Sequence, residues 1–280
     1  MNHDLNPLSP QVAEEVLIAD GPVLLRMTAG IAHLTLNRPE SANGMSVELL
    51  KAFHEAVMAC HGRADLRVLV LRGSGANFCG GGDIHDFASR GEGLPDYLRE
   101  ATAYLQIVSA ALIRLEAPVI AGVQGYAAGG GGIGLVCASD FVIATTSARF
   151  LTGATRVGMA PDGGSSVTLQ RLVGFRRAMD MVLRNPVVSA QDALAMGLIS
   201  SIVGEDELDA AVAALAAELA AGAPKGLAAA KRLLWNGMGL GVEACLPEEA
   251  RTVAELARTH DAREGLAAVI ERRKPRFTGQ

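Results

Sequence analysis

Between Val23 and Leu36 two short apolar runs flank Thr28, Ala29 and Gly30, and the second sets Ala32, Leu34 and Leu36 against His33 and Thr35. That two-residue period predicts a β-hairpin. The chain then turns at Asn37-Arg38-Pro39, and Ser46 stands where it caps a helix whose Leu49, Leu50, Phe53, Val57 and Cys60 share one face and which ends near Gly62. A buried strand is predicted over Arg67–Leu71, then a glycine-rich loop, a helix opened by Pro95 and running to about Leu115, and a strand over Val119–Val123. From Ala117 to Ser139 there is no charge, a stretch long enough on paper to cross a bilayer. It holds seven glycines, each costing a helix interior about 1 kcal/mol relative to alanine, so it reads as a buried strand, a glycine turn and a helix.

The alternation continues through a strand at Phe141–Ala144 and predicts an α/β layer architecture with parallel pairings. Helices dominate afterwards. Leu208, Val212, Leu215, Ala216 and Leu219 form one apolar helical face, Pro224 opens another helix, and Asp261 is placed to cap the last one before Pro275. The expected organisation is therefore a leader over 1–20, an α/β core over 21–203 and a helical region over 204–280. That tail is too thin to bury its apolar faces alone and must pack on the core or on another subunit.

Composition narrows the function. The 280 residues carry 25 basic and 30 acidic side chains, a formal charge of −5, which offers no footprint for nucleic acid or an anionic membrane and favours a small-molecule partner. The four cysteines lie far apart with no CxxC pair, and the six histidines show no metal-ligand spacing with them. A reduced, cytoplasmic protein without a metal fits. The first twenty residues lack a basic start followed by an apolar run, so no signal or transit peptide is expected there.

Two glycine clusters carry the candidate chemistry: Phe78-Cys79-Gly80-Gly81-Gly82-Asp83, and Gly125-Tyr126-Ala127-Ala128 with Gly129 to Gly132. Each sits where a strand hands over to a helix. Either is a tight turn, or the two helix N-termini face one another and hold a single negative oxygen on their free N–H groups. Gly129, Gly131 and Gly134 also satisfy the dinucleotide fingerprint, but Phe141 to Pro161 has no acidic residue to hold a ribose. Cys79 at a helix entrance is a thiolate candidate without a recognisable histidine partner. Asp140 beside a buried strand suggests a structural hydrogen bond, and Asp86 is a reserve carboxylate near the first loop.

In order along Ala29–Phe277, these clusters and their flanks resemble the crotonase superfamily, the enoyl-CoA hydratase/isomerase family. The blocks are Leu36-Asn37-Arg38-Pro39 with Asn43-Gly44-Met45, the two glycine loops with their strands, Ala148-Arg149-Phe150, Pro161-Asp162-Gly163-Gly164, Arg171 to Gly174, Ala193 to Gly197, and Glu271 to Pro275 with Phe277. The resemblance implies a spiral of strand and helix units with a C-terminal helical trimerisation region, assembled as a homotrimer or dimer of trimers. It implies acyl-CoA thioesters as substrates, CoA being part of the substrate and no separate cofactor being needed. It places an oxyanion hole at the backbone N–H groups of Gly82 and Gly130. It also puts Asp83, Ile84 and His85 on the CoA side, where Lys274 and Phe277 contribute across subunits; His85 equally fits a solvated surface position.

Hydratases of this family use two glutamates, and by position this chain has Ile133 and Ala154 instead. Asp162 matches a catalytic aspartate of some double-bond isomerases in the family. As a preferred N-cap type it also fits as the cap of a helix over 163–173. The leading expectation is an enoyl-CoA double-bond isomerase, with a hydratase using relocated acidic groups and a non-catalytic acyl-CoA-binding protein as the alternatives.

Overall fold

The computed structural model describes residues 13–280. Its first three strands, β1 (Glu15–Ile18), β2 (Val23–Thr28) and β3 (Ile31–Leu36), form an antiparallel meander, and Ala29 and Gly30 at φ 51° and 79° make the expected hairpin turn. Then follow α1 (Val47–His61), β4 (Val68–Gly73), α2 (Ile84–Ser89), α3 (Leu94–Arg114), β5 (Val119–Val123), β6 (Tyr126–Ala128) and α4 (Gly129–Ala138). The middle of the chain adds β7 (Phe141–Thr145), β8 (Arg149–Leu151), α5 (Ser165–Val173), α6 (Phe175–Arg184), β9 (Val188–Ser189), α7 (Ala190–Ala195) and β10 (Ser201–Val203). Four helices close the chain: α8 (Leu208–Ala220), α9 (Pro224–Gly237), α10 (Val242–Leu256) and α11 (His260–Glu271).

The main sheet has seven strands in the order β1-β2-β3-β4-β5-β7-β10, parallel from β3 onward, and a smaller sheet has the order β6-β8-β9. β4 shows why the sheet is central: Leu69 and Leu71 enter the main core, while Val68 and Val70 on its other face join Ile120, Ile143, Leu208, Val212 and Ala216. A strand covered on both faces reads as a continuous apolar run, which is what Val68 to Leu71 is. α1 starts as its sequence dictates, with Ser46 Oγ accepting the Leu49 N–H at 3.2 Å, and its Leu49, Leu50, Phe53, Val57 and Cys60 are all buried.

Two expectations change. β1 lies inside the expected leader and pairs with β2; the part of the leader over 1–12 lies outside the described residues. Beyond 204 the helical region packs on the core, α8 covering one face of the sheet. Asp261 does not cap α11. Thr259 does, its Oγ1 accepting the Ala262 N–H at 3.1 Å. The buried Asp261 carboxylate instead accepts the N–H groups of Thr278 and Gly279, both at 2.8 Å, because the chain end folds back over the first turn of α11.

Asp140 has the structural place expected of it. Its carboxylate accepts the Val119 N–H at 2.7 Å and the Trp235 indole N–H at 2.8 Å, and lies 2.8 Å from Lys231 Nζ. The buried ammonium also donates to the carbonyls of Leu112 and Ala117, so one ion cluster ties α9 to the start of β5. Burial lowers the Lys231 pKa and Asp140 opposes that shift. Among the described residues no single helix is long and apolar enough to cross a membrane, and no group of three or more His, Cys, Asp or Glu side chains is placed to hold a metal ion.

Candidate active site

The parallel strands β4 and β5 end side by side, so the loops that leave them run together. Backbone hydrogen bonds zip these loops: Phe78 N–H to Gln124 O at 2.8 Å, Cys79 N–H to Tyr126 O at 3.0 Å, and Ala128 N–H to Cys79 O at 2.8 Å. The first loop is held from its other side by Met45, whose N–H donates to Gly81 O at 2.8 Å. Contact between the loops is backbone to backbone. A Cβ on Gly81 would stand 3.0 Å from Ala128 O, and one on Gly129 would stand 2.9 Å from the Gly81 Cα; both residues also have positive φ, 101° and 62°. Glycine alone combines that conformation with that approach.

Two peptide donors are left over. Among the described residues the Gly82 N–H donates to no backbone acceptor. Gly130 is the second residue of α4, in the first turn whose N–H groups have no partner within the helix, and no side chain caps that end. Both glycines line one cavity of about 610 Å³ that runs between α3 and the segment from Gly153 to Asp162. Apart from peptide groups its wall is apolar except for Thr102, Arg156 and Asp162, and the Thr102 hydroxyl donates to Leu98 O at 2.8 Å.

Asp162 occupies the space over Gly130 that a side chain there would need: a Cβ on Gly130 would fall 1.3 Å from Asp162 Oδ1. This carboxylate is not a helix cap. α5 begins at Ser165 with Gly164 as its N-cap, and it is the Asp162 carbonyl that accepts the Ser165 N–H and hydroxyl, at 3.0 and 2.7 Å. Burial pushes the Asp162 carboxyl above its ordinary value, opposed by its own backbone N–H.

The structure therefore brings Gly82, Gly130 and Asp162 together, with Ile84 on the same cavity wall. It does not bring Asp83 or His85 to that wall. Asp83 is turned inward, 7 % exposed, where it pairs with Arg38 at 3.0 Å and caps α2 by accepting the Asp86 N–H. His85 is exposed on α2, and Lys274 and Phe277 lie on the C-terminal tail of the same chain. Asp86 binds the Tyr97 hydroxyl and Arg90 rather than facing the cavity. Cys79 is fully buried, its thiol pushed up to about 12, which removes the thiolate reading.

Sequence reasoning missed the parts that hold the first loop in place. Arg38 donates to Gly44 O at 3.0 Å as well as pairing with Asp83. The buried Asn43 amide donates to the carbonyls of Ser74, Asn77 and Phe78 and accepts the Arg38 N–H. An Asn-Gly pair after Arg-Pro signals a turn, and Asn43 does have φ 55°. Its contacts some thirty residues away carry no local signal.

Because burial raises the Asp162 pKa, the folded chain keeps a proton that the unfolded chain has released, and its ionisation costs stability as pH rises from the unfolded value toward the folded one. Asp162→Asn removes that cost. In thermal melts from pH 4 to pH 7 the difference between variant and parent is expected to grow in the variant's favour. An Asn variant that melts well below the parent at neutral pH would make this carboxylate a structural group.

The sequence model described as Enoyl-CoA hydratase/isomerase matches residues 26–280. A Rhodobacter capsulatus protein named "Probable enoyl-CoA hydratase" is 39% identical, the alignment covering 91% of this chain and 96% of that one. The 1,2-epoxyphenylacetyl-CoA isomerase of Escherichia coli is 32% identical over 92% of this chain and 98% of its own. Among solved structures, the enoyl-CoA hydratase of Bacillus anthracis superposes with a TM-score of 0.88 at 29% identity, covering 93% of this chain and 100% of that one. With residues 26–280 matched by the family model and nearly its whole length covered by these relatives, this chain belongs to the enoyl-CoA hydratase/isomerase family.

Proposed function

We propose that the chain is an enoyl-CoA double-bond isomerase that works through an enolate held by the N–H groups of Gly82 and Gly130. The observation that carries this reading is the position of Asp162, a partly buried carboxylate set over Gly130 with no other carboxylate on the described cavity wall. With a 3-enoyl thioester in the cavity, Asp162 takes a proton from the α carbon as the electron pair moves onto the thioester oxygen. The two peptide donors receive the growing negative charge, a service worth about 2.7–4 kcal/mol per donor in other enzymes. Asp162 then returns the proton to the γ carbon: the former 3,4 π pair forms the new C–H bond, and as the oxygen's pair restores the carbonyl the enolate's 1,2 π pair becomes the double bond at 2,3. Atoms and charge balance without a cofactor. A carboxyl held above its ordinary pKa is a stronger base for a weakly acidic carbon, so burial serves the step.

A hydratase reading has the name of the Rhodobacter capsulatus relative in its favour. Against it stands the place where hydratases of the family carry two glutamates. Here Ile133 and Ala154 border a void of about 10 Å³, the lower limit for one water. The polar groups there are already engaged: the Thr152 hydroxyl lies 2.5 Å from Met181 O, and the Ser165 hydroxyl donates to Asp162 O. Two acids are needed to place water and move a proton, and the described wall offers one.

Assembly belongs to the same proposal. On the single chain Leu234, Val242, Val269 and Ile270 are 74, 74, 78 and 80 % exposed, which supports a homotrimer, or a dimer of trimers, closed over the C-terminal helices. Sedimentation is expected to give a mass of three or six 29.0 kDa chains; a stable monomer would contradict it.

The reaction is tested with 2-enoyl-, 3-enoyl- and dienoyl-CoA esters followed by mass spectrometry and ultraviolet absorbance. The expected product is isomeric, with unchanged mass, and Asp162→Asn is expected to slow its formation about 10²- to 10⁴-fold while remaining folded. Gain of a water would establish the hydratase reading, and absence of any turnover with retained acyl-CoA binding would establish the binding-protein one.

A further inference from the structure

The cavity has two charged side chains, and the proposed reaction uses one. Arg156 is the other. Arg156 is exposed, and among the described residues its guanidinium makes one hydrogen bond, from Nη2 to the Asn185 carbonyl, which leaves most of its donors free, and no carboxylate pairs with it. An arginine on a wall that is apolar apart from Thr102 and Asp162, without a carboxylate partner of its own among the described residues, is placed for a charge that arrives with the substrate.

Arg156 is held there by design of its surroundings. It lies in the short helical turn Ala154–Val157, bounded by Gly153 and Gly158 at φ 69° and 73°. Asn185, 4 % exposed and itself at φ 51°, ends α6 and fastens this turn. Its amide donates to Thr155 Oγ1 at 2.5 Å and its side-chain oxygen accepts the Thr152 hydroxyl at 3.1 Å, while Thr155 Oγ1 donates to Val182 O at 2.8 Å. The same asparagine's carbonyl takes the guanidinium. One buried residue thus fixes both the turn and the arginine that projects from it.

We propose that Arg156 makes this enzyme selective for acyl chains bearing an anionic group, a carboxylate, at the end remote from the thioester. The planar guanidinium matches a carboxylate in geometry as well as in charge. A methyl-ended chain of the same length fills the apolar wall equally but leaves Arg156 unpaired. The inference rests on the reading of the cavity as an acyl-CoA site, so its test measures binding and needs no turnover.

Calorimetric affinities are compared for three saturated pairs: succinyl- with butanoyl-CoA, adipoyl- with hexanoyl-CoA, and suberoyl- with octanoyl-CoA. In the parent at least one carboxylate-ended member is expected to bind about fivefold more tightly than its partner, the size that remains for an ion pair open to solvent on one side. In Arg156→Met the order is expected to reverse, because a carboxylate brought to the apolar wall then lacks a counter-charge. Arg156→Lys is expected to keep the preference in reduced form. Equal or weaker binding of every carboxylate-ended ester by the parent would overturn the role of Arg156 alone. Equal weakening of both members of a pair in Arg156→Met would do the same, by placing the guanidinium on the CoA moiety. Failure of all six esters to bind would remove the acyl-CoA reading and this inference with it.

Discussion

The carboxylate of Asp162 stands in the space of the missing side chain at Gly130, and most of the site follows from that close approach. It needs a helix whose first turn carries no side chain on one side, so α4 opens with four glycines. A helix begun in this way gains little from intrinsic propensity, each glycine being unfavourable by about 1 kcal/mol relative to alanine. Packing compensates: Gly131 to Ala138 are buried between the sheet and its flanking helices. The weak helix start leaves room for a carboxylate to lie directly against the backbone of its first turn.

The second donor imposes the complementary constraint. Gly82 has to be held beside α4 although it lies in a loop, and the loop is fixed mostly by groups outside the cavity. Arg38 and the buried Asp83 form a largely buried ion pair beside it, Asn43 gathers three of its carbonyls, and Met45 binds it through the backbone. Buried pairs of this kind contribute positional definition more than net stability, because desolvation offsets much of their attraction. Phe87 closes the arrangement, its ring lying where a side chain on Gly82 would fall. Two N–H groups without backbone partners are thereby set in a largely apolar cavity, where a developing negative charge is stabilised far more than in water.

The sequence made the scaffold readable where the signal was local. The hairpin turn, the Ser46 cap, the one-sided face of α1 and the apolar run of β4 each depend on neighbours within a few residues, and each is found in the structure. Asp162 was legible as a candidate, but its choice between base and helix cap turned on where a helix starts, and Gly164 rather than Asp162 holds that position. Asp83 and Asp261 were misplaced for one reason. Both are drawn inward by partners distant in sequence, Arg38 in one case and the returning chain end in the other. Arg156 gave no signal at all, since only the fold sets it on the same wall as Asp162.

The central claim is that one carboxylate, shielded by an apolar cavity, both removes and returns the proton. A 3-enoyl-CoA deuterated at the α carbon tests it most directly, with the product analysed for the position of the label. The account predicts a primary isotope effect and part of the deuterium at the γ carbon, carried there by Asp162. A product with none of the label at the γ carbon, or one that has gained water, would contradict it.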